Sequence, residues 1–258
     1  MDVDLILVLG DIILFPVMLI TLEIGRRFGL RRLAEDPEGA RAGASAVEGA
    51  VFALFGLLIA FTFTSAASRY ETRRDLLVQH ANAIGTAWLR LDLLPADVQS
   101  ALRQDFRRYV DLAIKIPQLV ANPQALDQAM VEVGKIQDNI WNLAETAAAR
   151  DSRPFVATLV LPALNDMFDL GASRYAAGKY HISPVIIIVL FLLSILASLL
   201  AGYGMAFSRR RNWLHMIVFA ALVTLTLFVI IDLELPRHGF IGMEKFDQIL
   251  INLRESMH

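Results

Sequence analysis

The 258-residue sequence has no cysteine. Disulfides, thiolate metal sites and a cysteine nucleophile are therefore excluded, and the redox compartment is left undetermined. Charge is sparse as well. Asp, Glu, Lys and Arg make up 19% of the chain and the formal net charge is −2, which gives no basic surface for nucleic acid. The five histidines, His80, His181, His215, His238 and His258, show neither HxxxH nor HExxH spacing. Nucleophile elbows and phosphate-binding glycine loops are missing. The expectation is no catalytic residue, no metal and no cofactor, and hence no enzyme. The opening MDVDLILVLGDIILFP carries acids where a signal peptide has basic residues, so none is expected. Strand-like alternation, internal repeats and low-complexity linkers are also lacking.

What the sequence has in excess is apolar residues: 56%, with a mean hydropathy of +0.52. A bilayer core of about 30 Å takes roughly 20 apolar residues as helix. Four stretches qualify: 5–23, interrupted by Asp11 and Pro16, then 49–68, 182–207 and 213–232. Tyr203 and Trp213 suit the aromatic belt. Between the second and third lie about 110 charged residues with apolar positions at i, i+3/i+4. No proline interrupts 49–94, which reads as one helix of about 70 Å. Helices follow from Pro95 and Asp97 to a break at Pro117, from an Asn122 cap with Pro123, and from 151 onward with a kink near Pro162. The tail carries Phe246, Ile249, Leu250 and Leu253 as an amphipathic stripe, to dock on the bundle or lie along the membrane. The expected fold is all-α: four transmembrane helices with a helical bundle inserted between spans two and three. The segments are 1–68 (spans one and two), 69–181 (bundle), 182–232 (spans three and four) and 233–258 (tail).

The second span, FALFGLLIAFTFTSAASRYETRR, is the most informative. Gly49, Ala53, Gly56, Ala60, Thr64 and Ala67 form a small-residue stripe suited to close helix packing. About 100° around the helix lie Phe55, Ile59 and Phe63, with Phe52 and Thr62 close by. They face lipid or a neighbouring helix, or, in a ring of copies, form an apolar neck of the kind that gates by dewetting. The hydroxyls of Thr62, Thr64, Ser65 and Ser68 either ease ions into a vestibule or bond their own helix. Further along, Asn82, Thr86 and Arg90 share a face, as a register device or a vestibule lining. Asn165, Asp166 and Asp169 are candidate partners for that face. The Asp166/Asp169 pair reads as salt-bridged, to Arg90 or Arg174, more readily than as a cation site. Among acids near the bilayer, Glu23 is expected to pair with Arg26 and Arg27, and Asp232 and Glu234 mark the end of span four. GYGMA (202–206) lacks the context of an ion filter.

Arg26, Arg27, Arg31, Arg32 and Arg41 follow span one, and Arg209, Arg210 and Arg211 separate spans three and four. By the positive-inside rule these loops are cytoplasmic, and both termini and the bundle lie on the other side. Arg69, Arg73, Arg74, Arg174 and Lys179 weigh against this.

Four segments carry a family resemblance: RYETRRDLLVQHANAIGTAWLRLDLLP (69–95), LPALNDMFD (161–169), LLAGYGMA (199–206) and IDLELPRHGFI (231–241). With them nearly the whole chain resembles a group of bacterial membrane proteins with a bestrophin-like domain. That resemblance implies a multi-pass protein of the bacterial inner membrane. True bestrophins are pentameric ion channels with four spans, a large domain between spans two and three, and a neck of Ile and Phe on span two. The acidic calcium clasp of the animal channels has no counterpart identified in this chain. Their large domain is cytoplasmic, opposite to the arginine reading.

The function expected is a homo-oligomeric ion channel, a pentamer by the resemblance, lined by span two. Its neck is Phe55, Ile59 and Phe63. Its polar lining is Thr62, Thr64, Ser65, Asn82, Thr86 and Arg90, and its packing residues are Gly49, Ala53, Gly56 and Ala60. The partners are further copies of the chain, the lipid bilayer and inorganic ions. The alternative is a non-conducting scaffold or sensor whose bundle binds a ligand or partner.

Overall fold

The computed structural model describes residues 3–35, 44–120, 122–207, 211–235 and 244–258, all of it helix, turn and connection with no strand. Arg41, Arg209, Arg210 and Pro236 lie outside the described residues. The helices are α1 (Val3–Glu35), α2 (Ala44–Arg90), α3 (Ala96–Lys115), α4 (Pro123–Arg150), α5 (Pro154–Lys179), α6 (Pro184–Met205), α7 (Trp213–Glu234) and α8 (Glu244–Ser256).

Their ends follow local chemistry. α2 runs 47 residues without a proline and stops in the 3₁₀ turn Leu91–Leu93, just before Pro95. Asn122 caps α4, its side-chain oxygen accepting from the Ala125 N–H at 3.1 Å, with Pro123 in the first turn. Asn212 caps α7 in the same way through the His215 N–H. α3 ends where Pro117 forces the 3₁₀ turn Ile116–Leu119. α5 continues through Pro162.

The chain divides into two units, Met1–Tyr70 with His181–Gly242, and Glu71–Tyr180 with Met243–His258. The first is built from α1, the N-terminal part of α2, α6 and α7 around Leu14, Met18, Leu22, Phe55, Leu190, Met216 and Leu227. Its outer surface is apolar too, with Ile188, Leu192, Leu196, Leu214, Leu222 and Leu225 all half or more exposed, as lipid contact requires. The closest crossing joins α1 and α6. A Cβ on Gly25 would lie 1.9 Å from the Leu199 carbonyl oxygen, and one on Gly202 would lie 1.9 Å from that of Leu22. Only glycine lets these backbones touch. The Thr21 and Ser198 hydroxyls bond across the same seam.

Three stretches are long and apolar enough to cross a membrane, within Ala46–Leu93, Pro154–Met205 and Trp213–Glu234. That count is of the described residues; α1, which holds Pro16, is not among the three, and the four-span layout is not confirmed. Glu23 pairs with Arg26 and Arg27 and also with Arg211.

The second unit packs the rest of α2 with α3, α4, α5 and α8 around Ile84, Leu91, Leu102, Phe106, Ile140, Leu164, Met167 and Leu250. α8 docks in this unit. Arg254 donates to both carboxylate oxygens of Asp111, Arg174 pairs with Asp247, and Leu253 approaches Gly85.

Candidate functional site

α2 belongs to both units and presents two unlike faces. Positions 55, 62, 66, 73, 77, 80, 84, 87 and 91, stepping through the half-buried 59, 69 and 70, point into the protein. On the other side Ala53, Leu57, Ala60, Thr64, Ser68, Glu71, Asp75, Gln79, Asn82, Thr86 and Leu89 are all exposed. Each is three or four residues from the last, so they form one continuous stripe. Along it the chemistry changes in order: apolar, hydroxyl, carboxylate, then amide and hydroxyl.

The residues singled out from sequence distribute between these faces. Phe55 is 4% exposed and lies in the apolar core of its own unit, and Ile59 is half-buried beside it. Phe63 is 42% exposed, at the edge of the outward stripe. Gly49, Ala53, Gly56 and Ala60 face outward, and a Cβ on Gly49 or Gly56 would meet nothing within 4 Å. Among the described residues, then, these four face away from the protomer's core, whereas Ala67 at the end of the small-residue stripe packs against it. Thr62 is buried and donates to the Leu58 carbonyl at 2.7 Å. Thr64 is outward and donates to Ala60 at 2.9 Å. Ser65, Asn82 and Thr86 are exposed. Arg90 is half-buried and donates to the Leu159 carbonyl, in the turn of α5 that precedes Pro162. Asp169 accepts from Asn165, and Arg174 pairs with Asp247 and the Ala113 carbonyl. The acceptors seen for Arg90 and Arg174 are the Leu159 carbonyl and, for Arg174, Asp247 and the Ala113 carbonyl.

Sequence reasoning missed two polar clusters. In the first unit, Glu234 at the end of α7 accepts from Arg69 of α2 and from the Ile182 N–H. The available signal was the pair Asp232 and Glu234 in the last turn of an apolar helix, where the macrodipole disfavours acids. In the second unit His80 is 2% exposed and shares a 3.0 Å hydrogen bond with the Tyr109 hydroxyl, while its Nδ1 is buried without a partner. Burial pushes the Tyr109 phenol up to about 12. Gly171 leaves the room for this pair, since a Cβ there would sit 2.5 Å from the Tyr109 oxygen. Among the described residues no group of three or more His, Asp or Glu side chains could hold a metal ion.

The fold and its outward-facing long helix define a multi-helix protein with membrane-spanning segments and a separate helical bundle. The Bestrophin-like domain profile matches residues 14–245, and the chain belongs to that family. Crystal structures of two single-substitution variants of a bacterial bestrophin homologue from Klebsiella pneumoniae share the fold. One has a TM-score of 0.70 at 11% identity, covering 93% of this chain and 98% of the other. The second has a TM-score of 0.67 at 12% identity, covering 94% and 95%. No curated protein sequence matches the chain.

Proposed function

We propose that the protein is a homo-oligomeric ion channel, a pentamer by analogy with true bestrophins, in which the outward stripe of α2 lines the ion pathway. The carrying observation is that stripe: eleven positions three or four apart, all exposed, running from apolar through hydroxyl, carboxylate and amide to an apolar end at Leu89, on one unbroken helix. A single copy encloses nothing, so further copies around an axis complete the pathway. Leu57, Phe61 and Phe63 supply the apolar constriction, and Thr64, Ser65 and Ser68 the hydroxyls beyond it. Asn82 and Thr86, with Arg90 at the edge, line the vestibule. Phe55 and Ile59 belong to the protomer's own core in this reading, Gly49 and Gly56 are where neighbouring copies approach, and Ala53 and Ala60 line the pathway with the rest of the stripe. α1 serves as the fourth span through its glycine seam with α6. Both termini and the bundle lie outside the cytoplasm in this reading, which the arginines of the two short loops support.

Liposome flux tests this. Wild-type protein conducts, and Leu57→Ala or Phe63→Ala raises the flux several-fold by widening a dewetting constriction. Phe55→Ala instead lowers stability by about 3–5 kcal/mol and leaves flux per assembled oligomer unchanged. A chain that assembles and passes no ions supports the alternative. In that case the same continuous α2 carries a ligand-induced shift from the bundle, as in a sensor.

A further inference from the structure

Glu234 is the group least expected from general rules in the membrane unit. It closes the last turn of α7, where the helix dipole opposes a negative charge, and it is 3% exposed. Its two oxygens are held by different parts of the unit. Arg69 Nε of α2 donates to one at 2.7 Å, and the Ile182 backbone N–H, just ahead of α6, donates to the other at 3.0 Å. His181 Nδ1 stands 4.0 Å from that second oxygen. One buried carboxylate thus joins α2, the approach to α6 and the end of α7.

Elsewhere in this unit α2 packs through Phe55 and Ala66, whose apolar contacts are non-directional, and through Phe52, edge-to-face on Phe219 of α7. The Thr62 and Thr64 hydroxyls return to their own helix. The Arg69 Nη2 is buried with no acceptor, so the guanidinium is held through its Nε bond rather than by a second anchor there. A charge-assisted hydrogen bond is directional where the apolar contacts of Phe55 and Ala66 are not.

We propose that Glu234 is the positioning group for α2. By holding Arg69 it keeps the stripe from Ala53 to Ser68 turned outward, and its release lets α2 rotate and alters conduction. The last clause rests on the channel reading, whereas the rotation is testable without it.

The absence of native cysteine makes the test direct. Single cysteines at Thr62, which is buried, and at Ser68, which is exposed, are reacted with a water-soluble thiol reagent in proteoliposomes. In the otherwise wild-type chain Ser68→Cys reacts much faster than Thr62→Cys. Glu234→Gln and Arg69→Gln each shrink that ratio by about ten-fold, as expected for a local restraint removed. The double variant goes no further than either single one, because both remove the same contact. Arg69→Lys keeps a charged donor and restores most of the ratio. If Glu234→Gln fails to assemble, the comparison of Arg69→Gln with Arg69→Lys carries the same decision. An unchanged ratio in the neutralised variants overturns the proposal. Flux is measured on the same samples. A wild type that conducts, with a changed ratio and unchanged flux in Glu234→Gln, removes the link to conduction. A wild type that does not conduct overturns the channel reading, and the labelling ratio still decides whether Glu234 positions α2.

Discussion

Tyr109 shows how much one hydroxyl can carry in this protein. It is 2% exposed and is the partner of His80 Nε2, whose other ring nitrogen is buried without one. Tyr109→Phe keeps the ring and removes the oxygen, so His80 Nε2 loses its partner and neither ring nitrogen has one. The expected cost is about 1–3 kcal/mol, read as a lowered denaturation midpoint in detergent. A pH effect follows from the same burial. The phenol ionises near 10 when unfolded but only near 12 when folded. A raised folded pKa means stability that is full below pH 10 and lost as pH climbs from 10 towards 12, by roughly 2–3 kcal/mol. Tyr109→Phe should flatten that segment of the stability profile relative to wild type. An identical alkaline loss in both proteins would assign it to other groups. His80 shares a buried hydrogen bond with Tyr109 that the histidine spacing did not announce. Its partner was out of reach because Tyr109 lies 29 residues away on another helix, and only tertiary packing brings the two together.

At the level of elements, helix boundaries were the most legible feature. The Asn122–Pro123 start of α4, the break at Pro117 and the uninterrupted α2 are all local chemistry, and the structure has them within a few residues. Rotational facing was only half legible. The polar stripe through Asn82 and Thr86 declares itself against an apolar background. Phe55, Ile59 and Phe63 do not, because an apolar side chain suits lipid, a pore and a protein core equally. Small residues carry the same ambiguity, and two glycines separate its outcomes. Gly202→Ala puts a methyl 1.9 Å from a backbone oxygen. It should cost about 3 kcal/mol or more by forcing α1 and α6 apart. Gly56→Ala meets nothing in its own chain. It should leave protomer stability unchanged or raise it by up to about 1 kcal/mol through helix propensity. On the oligomeric reading it should nevertheless shift assembly, visible by native mass spectrometry. Equal thermal losses for the two variants would mean that the outward stripe of α2 is already packed within the protomer.

For the whole molecule the open choice is which side of the membrane holds the bundle. Arg26 and Arg27 of α1 and Arg211, ahead of α7, form one electrostatic group, since all three pair with Glu23. The opposing cations are largely consumed by internal structure. Arg69 holds Glu234, Arg73 is 6% exposed and donates to the Ala177 and Tyr180 carbonyls, and Arg174 pairs with Asp247. These internal partners give Arg69, Arg73 and Arg174 a folding role, and the positive-inside rule weighs the arginines of short loops most, which is the basis of the orientation proposed above. The expectation is that Gln104→Cys, on an exposed position of α3, reacts with a membrane-impermeant maleimide in intact spheroplasts. Ala34→Cys, at the far end of α1, should react only after permeabilisation. The reverse pattern would put the bundle in the cytoplasm, where true bestrophins hold theirs. Arg69, Arg73 and Arg174 would then have counted in membrane insertion despite their internal partners, because topology is decided before those partners are in place.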